Sequence, residues 1–104
     1  MAWLLLFVAG VLEVVWAYTM KLSQGFTRPA ASIITLTAMI ASFALLSYSM
    51  RTLPLGTAYT VWTGIGAVGA FLVGITSLGE PVKATRIIAA MLILSGSVMM
   101  KASS

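Results

Sequence analysis

Four runs of apolar residues, each close to the length of a membrane crossing, occupy nearly the whole sequence. They cover about residues 2–20, 29–50, 56–78 and 84–100. A helix rises about 1.5 Å per residue and the hydrocarbon core of a bilayer is about 30 Å thick. Each run therefore matches one span, the last being the shortest. The breaks between them are equally legible. Ser23-Gln24-Gly25 ends the first run, and Pro29 suits the first turn of a second helix. Leu53-Pro54-Leu55-Gly56 and Gly79-Glu80-Pro81 form the other two breaks. None of these connections is long enough to fold on its own. The expected fold is all-α and integral to the membrane. It is an up-down-up-down bundle of four transmembrane helices forming a single transmembrane domain over residues 1–104.

Composition agrees. With 61% hydrophobic and 8% charged residues and a mean hydropathy of +1.08, the chain lacks the residues to build a polar shell around a soluble core. The net charge of +4 comes from single Lys and Arg residues between the apolar runs, a pattern of membrane-edge anchors rather than of a nucleic-acid partner. There is no Cys, which excludes disulfides and thiolate metal sites. There is no His either, which removes the commonest metal ligand and the usual proton carrier at neutral pH. No cofactor or metal is called for. The first run is expected to remain a span rather than a cleaved signal, because it has no basic leader, contains an acid and precedes three similar runs. Loops 1 and 3 share one side with Lys21, Arg28, Lys83 and Arg86, against Arg51 and Lys101 on the other. So weak a bias predicts insertion in both orientations.

Two acids exist. Glu80, in a turn beside Lys83 and Arg86, reads as a solvated loop charge. Glu13 lies about two-thirds along the first span with apolar residues on both sides. An ionisable group at membrane depth costs several kcal/mol and usually marks a pathway, a proton relay or a ligand site. Within the bounds of the other three spans only Arg86 appears, two residues from the start of the fourth, so no Lys or Arg lies at mid-span to neutralise it. A carboxyl there is suited to hold a proton while neutral and a cation while charged. Competition between the two for one group is enough to run an antiporter if the site opens to one side at a time.

Gly10 and Trp16 share a helix face with Glu13, one turn away on either side. The third span offers Tyr59, Trp62 and Thr63. Tyr59 reads equally well as an interfacial anchor, whereas Trp16 and Trp62 lie inside spans, where indole rings can line a cation site or hydrogen-bond a carboxylate. Ser42, mid-span in the second helix, is a candidate hydrogen-bond partner for Glu13 or for its own backbone. Gly66, Ala70 and Gly74 follow the small-xxx-small spacing of close helix contacts, and Gly64 with Gly66 could bend the third helix. Ala89 and Gly96, seven apart on the fourth, suit helix association. Four helices with one acid hardly enclose a ligand path, and a symmetric oligomer would bring two copies of Glu13 together.

The chain resembles the small multidrug resistance family of bacterial four-helix transporters over nearly its whole length. The resemblance rests on Gly10-Val11-Leu12-Glu13-Val14-Val15-Trp16-Ala17, on Lys21 with Gly25-Phe26-Thr27-Arg28, and on the run from Leu53 through Trp62-Thr63-Gly64-Ile65-Gly66-Ala67 to Gly69. Trp16 and the Trp-Thr-Gly-Ile-Gly-Ala run are similar to the guanidinium exporter branch. The multidrug branch typically has a small residue in place of Trp16 and a Tyr in place of Met39. The resemblance implies an antiparallel homodimer of dual topology in the bacterial inner membrane, exchanging protons for guanidinium by alternating access. It implies Glu13 of both subunits as the shared proton and substrate site, lined by Trp16, Ser42, Tyr59 and Trp62, with helix 4 forming much of the dimer contact through Ala89 and Gly96. Ala89 stands where the family more usually has Gly, and Tyr18, Thr19 and Met20 depart from the branch.

The expected function is proton-coupled export of guanidinium or small guanidinyl cations, whose planar, forked donors match a carboxylate two at a time. The rivals are a broad exporter of quaternary ammonium compounds and a non-transporting accessory subunit. An enzyme is not expected, since no nucleophile–base pair or metal cluster is present.

Overall fold

A computed structural model describes residues 1–103. The apolar runs form α1 (Ala2–Leu22), α2 (Pro29–Ser49), α3 (Leu55–Ser77) and α4 (Ala84–Ala102). All four are long and apolar enough to cross a membrane, and there is no strand among the described residues. Proline sets two of the helix starts. Pro29 opens α2, where its missing N–H has no helical partner to lose, and Pro54 precedes α3 in an extended conformation. The end of α1 is held by Ser23, whose hydroxyl donates to the Met20 carbonyl (2.7 Å) and accepts from the Phe26 N–H (3.0 Å). The chain then turns through Gln24, Gly25 and Phe26, all at positive φ.

The helices lie in the order α2, α1, α3, α4. The principal contacts of α1 are with α2 and α3, while α4 rests on α3. The Cα positions extend 40 × 34 × 16 Å, so the bundle is open and flattened rather than closed around an axis. Its interior is small and partly polar. Ala9, Ala38, Ala58, Thr35, Ser42 and Ser49 are buried, whereas Ile40 and Leu92 are 68% and 69% exposed. That distribution suits lipid, where apolar side chains gain nothing by facing inward and small or hydroxylated residues join helices. The buried hydroxyls are satisfied: Thr35 donates to Thr19 Oγ1 at 2.6 Å, tying α2 to α1, and Ser97 donates to the Ile93 carbonyl at 3.0 Å. Three bases sit over aromatic faces at the helix ends, Arg51 on Tyr48, Arg86 on Phe71 and Lys101 on Trp3. Such pairs keep the charge at the interface while the stem covers apolar surface.

Candidate functional site

The site is built where α1 meets α3. Glycines on each helix receive side chains of the other. Ile65 fills the space over Gly10, and Val14 fills that over Gly69. Between them the Glu13 carboxylate lies directly on Gly66, where a Cβ would overlap it. The carboxylate thus lies against the α3 backbone at Gly66. Glu13 Oε1 is buried and has no hydrogen-bond partner among the described residues. The indole Nε1 of Trp16, one turn further along α1, is in the same state. A buried acceptor and a buried donor without partners are each costly, and one turn of α1 carries both, which makes this turn the candidate ligand site.

On the α2 side the polar groups are fully engaged. Trp62 Nε1 donates to Ser42 Oγ (3.0 Å), and Ser42 Oγ donates to the Ala9 carbonyl (2.7 Å). Ser42 therefore bonds neither Glu13 nor its own helix. The Ala9 carbonyl is also the helix-ladder acceptor for the Glu13 N–H, so the relay fixes α1 at the turn that carries the acid. Aromatic rings close this face. Trp16 meets Phe43 edge-on with centroids 6.2 Å apart, Phe43 meets Trp62 at 5.7 Å, and Trp62 meets Tyr59 at 5.6 Å. No sequence signal marks Phe43 beyond its adjoining Ser42, yet it links Trp16 and Trp62.

Other candidates reach beyond this face. Tyr59 is about half exposed. With Thr63, Gly64 and Gly96 it lines an open groove of about 720 Å³ between α3 and α4. Through Gly64 and Gly66, α3 is helical without interruption, and both glycines give room to a neighbour, Gly64 to Ser97 of α4. Ala89 is exposed on α4 and Gly96 half-buried. Among the described residues no three His, Cys, Asp or Glu side chains gather as a metal site would require.

The sequence matches the family model for the Small Multidrug Resistance protein over residues 1–93. Guanidinium exporters of Citrobacter freundii and Salmonella typhimurium are 55% identical to it over 104 residues, spanning 100% of this chain and 99% of theirs. That of Yersinia pseudotuberculosis serotype I (strain IP32953) is 55% identical over the full length of both chains. A whole-length match to these transporters, on a fold of four membrane-spanning helices, places the chain in the small multidrug resistance family.

Proposed function

We propose that this protein exports guanidinium or small guanidinyl cations across the bacterial inner membrane in exchange for protons, with Glu13 as the group that both occupy in turn. It is a transporter and not an enzyme. The observation that carries the reading is the Glu13 carboxylate, seated on the Gly66 backbone with a buried, unpartnered oxygen. Relatives named guanidinium exporter along their full length supply the substrate class. The buried, donor-only indole of Trp16 shapes the neighbourhood with aromatic surface.

Guanidinium offers paired N–H donors to the carboxylate and a flat face to the rings of Trp16, Phe43 and Trp62. Gly10 and Ser42 set how closely α3 and α2 approach α1. Tyr59 and Thr63 face the outer groove, where substrate passes. We read alternating access as bending of α3 at Gly64 and Gly66, and the working unit as an antiparallel homodimer joined through α4 at Ala89 and Gly96. A flattened bundle 16 Å deep leaves one face of the path to a second copy.

Flux through purified protein in liposomes tests the function. A guanidinium gradient is expected to drive proton movement in the opposite direction, and Glu13→Gln to abolish it while leaving the helical circular dichroism intact. Because one carboxylate holds either proton or cation, guanidinium binding should weaken about tenfold per pH unit below the pKa that Glu13 has in the protein. Transport of tetramethylammonium without guanidinium would point instead to a quaternary ammonium exporter. Unchanged cell phenotype in Glu13→Gln would point to an accessory role.

A further inference from the structure

The second acid of the chain is not a free loop charge. Gly79, at φ +68°, turns the chain after α3, and the Glu80 N–H donates back to the Gly74 carbonyl at 3.0 Å. This folds the Glu80 carboxylate onto Gly74, where a Cβ would collide with it. Arg86 of α4 completes the arrangement. Its Nη2 lies 3.9 Å from Glu80 Oε1, its Nη1 donates to the Pro81 carbonyl at 3.1 Å, and its Cζ stands 5.3 Å from the centroid of the Phe71 ring. A carboxylate, a backbone carbonyl and an aromatic face thus converge on one planar guanidinium group. These are the three elements that recognise guanidinium in any context: charge, directed acceptors and a π surface.

The place is as informative as the chemistry. Glu80 and Arg86 line a cavity of about 320 Å³ that runs between α1 and α3 from the loop end of the bundle. Val14 and Ala67, the chain neighbours of Glu13 and Gly66, line the same cavity. Liquid water takes about 30 Å³ per molecule, so the space holds a guanidinium ion with part of its hydration shell. Arg86 and Phe71 also line a second cavity of about 170 Å³ that reaches Ala89 and Ile93. The Arg86 side chain is therefore a partition between two spaces. Both partners of the ion pair are open to water, at 39% and 38% exposure, so Arg86 is held weakly.

We propose that Glu80, Phe71 and the Pro81 carbonyl form an outer guanidinium site, in which Arg86 is a resident stand-in that a free guanidinium ion displaces on its way between the loop end and Glu13. The proposal rests on the guanidinium reading of the chain. Replacing one guanidinium by another leaves the charge around Glu80 unchanged. Adding a second cation while Arg86 and Lys21 remain is disfavoured by repulsion, so substrate and Arg86 exclude one another. A quaternary ammonium ion has no N–H to give the Pro81 carbonyl and cannot complete the exchange.

Arginine side-chain NMR on the whole protein in nanodiscs tests this, because the chain has three arginines, Arg28, Arg51 and Arg86. The Arg86 Nε signal, assigned by its loss in Arg86→Gln, is expected to shift saturably with millimolar guanidinium chloride. The Arg28 and Arg51 signals should stay in place, and tetramethylammonium chloride at equal ionic strength should move none of them. The Arg86 shift should persist in Glu13→Gln, which removes the inner site, and disappear in Phe71→Leu. If Glu13→Gln does not fold, Phe71→Leu in the wild-type background decides the same point. An Arg86 signal that stays fixed while the protein transports guanidinium would overturn the outer site and leave the transport reading standing. A saturable, guanidinium-specific Arg86 shift in a protein that moves no guanidinium would overturn the transport reading and leave the outer site.

Discussion

Gly66 decides where the Glu13 carboxylate can be. Its missing side chain is the seat of the acid, so the smallest enlargement acts directly on the carboxylate proposed to hold proton and cation. Gly66→Ala should displace the carboxylate or part α1 from α3, at about 1–3 kcal/mol for overpacking a tight contact. We expect guanidinium affinity to fall about tenfold or more, measured by calorimetric titration of the purified protein with its helical signal unchanged. Trp62→Phe is a milder test on the opposite side. It removes the N–H that donates to Ser42 and leaves the Ser42 bond to the Ala9 carbonyl. The loss should be about 1 kcal/mol, the net worth of one hydrogen bond, read as a lower unfolding midpoint in detergent. Glu13 itself was legible in the sequence as an acid with no base to meet it. Its seat was not. Gly66 stood out there as a small residue for helix contact or bending, because spacing shows which residues share a face but not which side chain from another helix lands on them. Ser42 illustrates the same limit: its partners are a carbonyl on α1 and an indole on α3.

At the scale of the helix, α3 is the organiser. Gly64 receives Ser97 of α4, Gly66 receives Glu13, Gly69 receives Val14 and Gly74 receives Glu80. One helix thus carries recesses for two neighbours and a loop, which explains its small-residue content better than backbone contact alone. Ser97 is the sole buried residue of α4, so the Gly64–Ser97 contact anchors that helix. Gly64→Ala should push α4 outward and lower stability by about 1–3 kcal/mol. Ser97→Gly in the same chain should recover part of that loss, because the colliding hydroxyl is gone. A double-mutant cycle on unfolding midpoints would show the coupling, and strict additivity would refute the contact. The helices themselves were legible from run length and from Pro29 and Pro54. Their ends shift by a residue or two, as where α1 continues past Lys21 to Leu22, because the Ser23 hydroxyl extends its last turn.

For the whole molecule, composition dictated a membrane protein of four helices, and the fold has its apolar residues outward accordingly. The order α2, α1, α3, α4 was not legible, since helices apolar on every side carry no stripe to point at a neighbour. What remains legible at this scale is the loop charge, the general determinant of orientation in membrane proteins. The end that holds loops 1 and 3 carries Lys21, Arg28, Lys83 and Arg86, and the opposite end carries Arg51 and Lys101. Acids contribute little to the rule, so the Glu80–Arg86 pair does not cancel Arg86 in this count. The excess is small enough that single charges should matter. Reporters fused to the C-terminus are expected to label both sides of the membrane. Neutralising Arg28 and Lys83 should move the distribution toward the orientation with Arg51 and Lys101 inside, and neutralising Arg51 should move it the other way. A fusion found on one side only, and unmoved by either change, would mean that charge does not set orientation here, and would remove the support for an antiparallel pair.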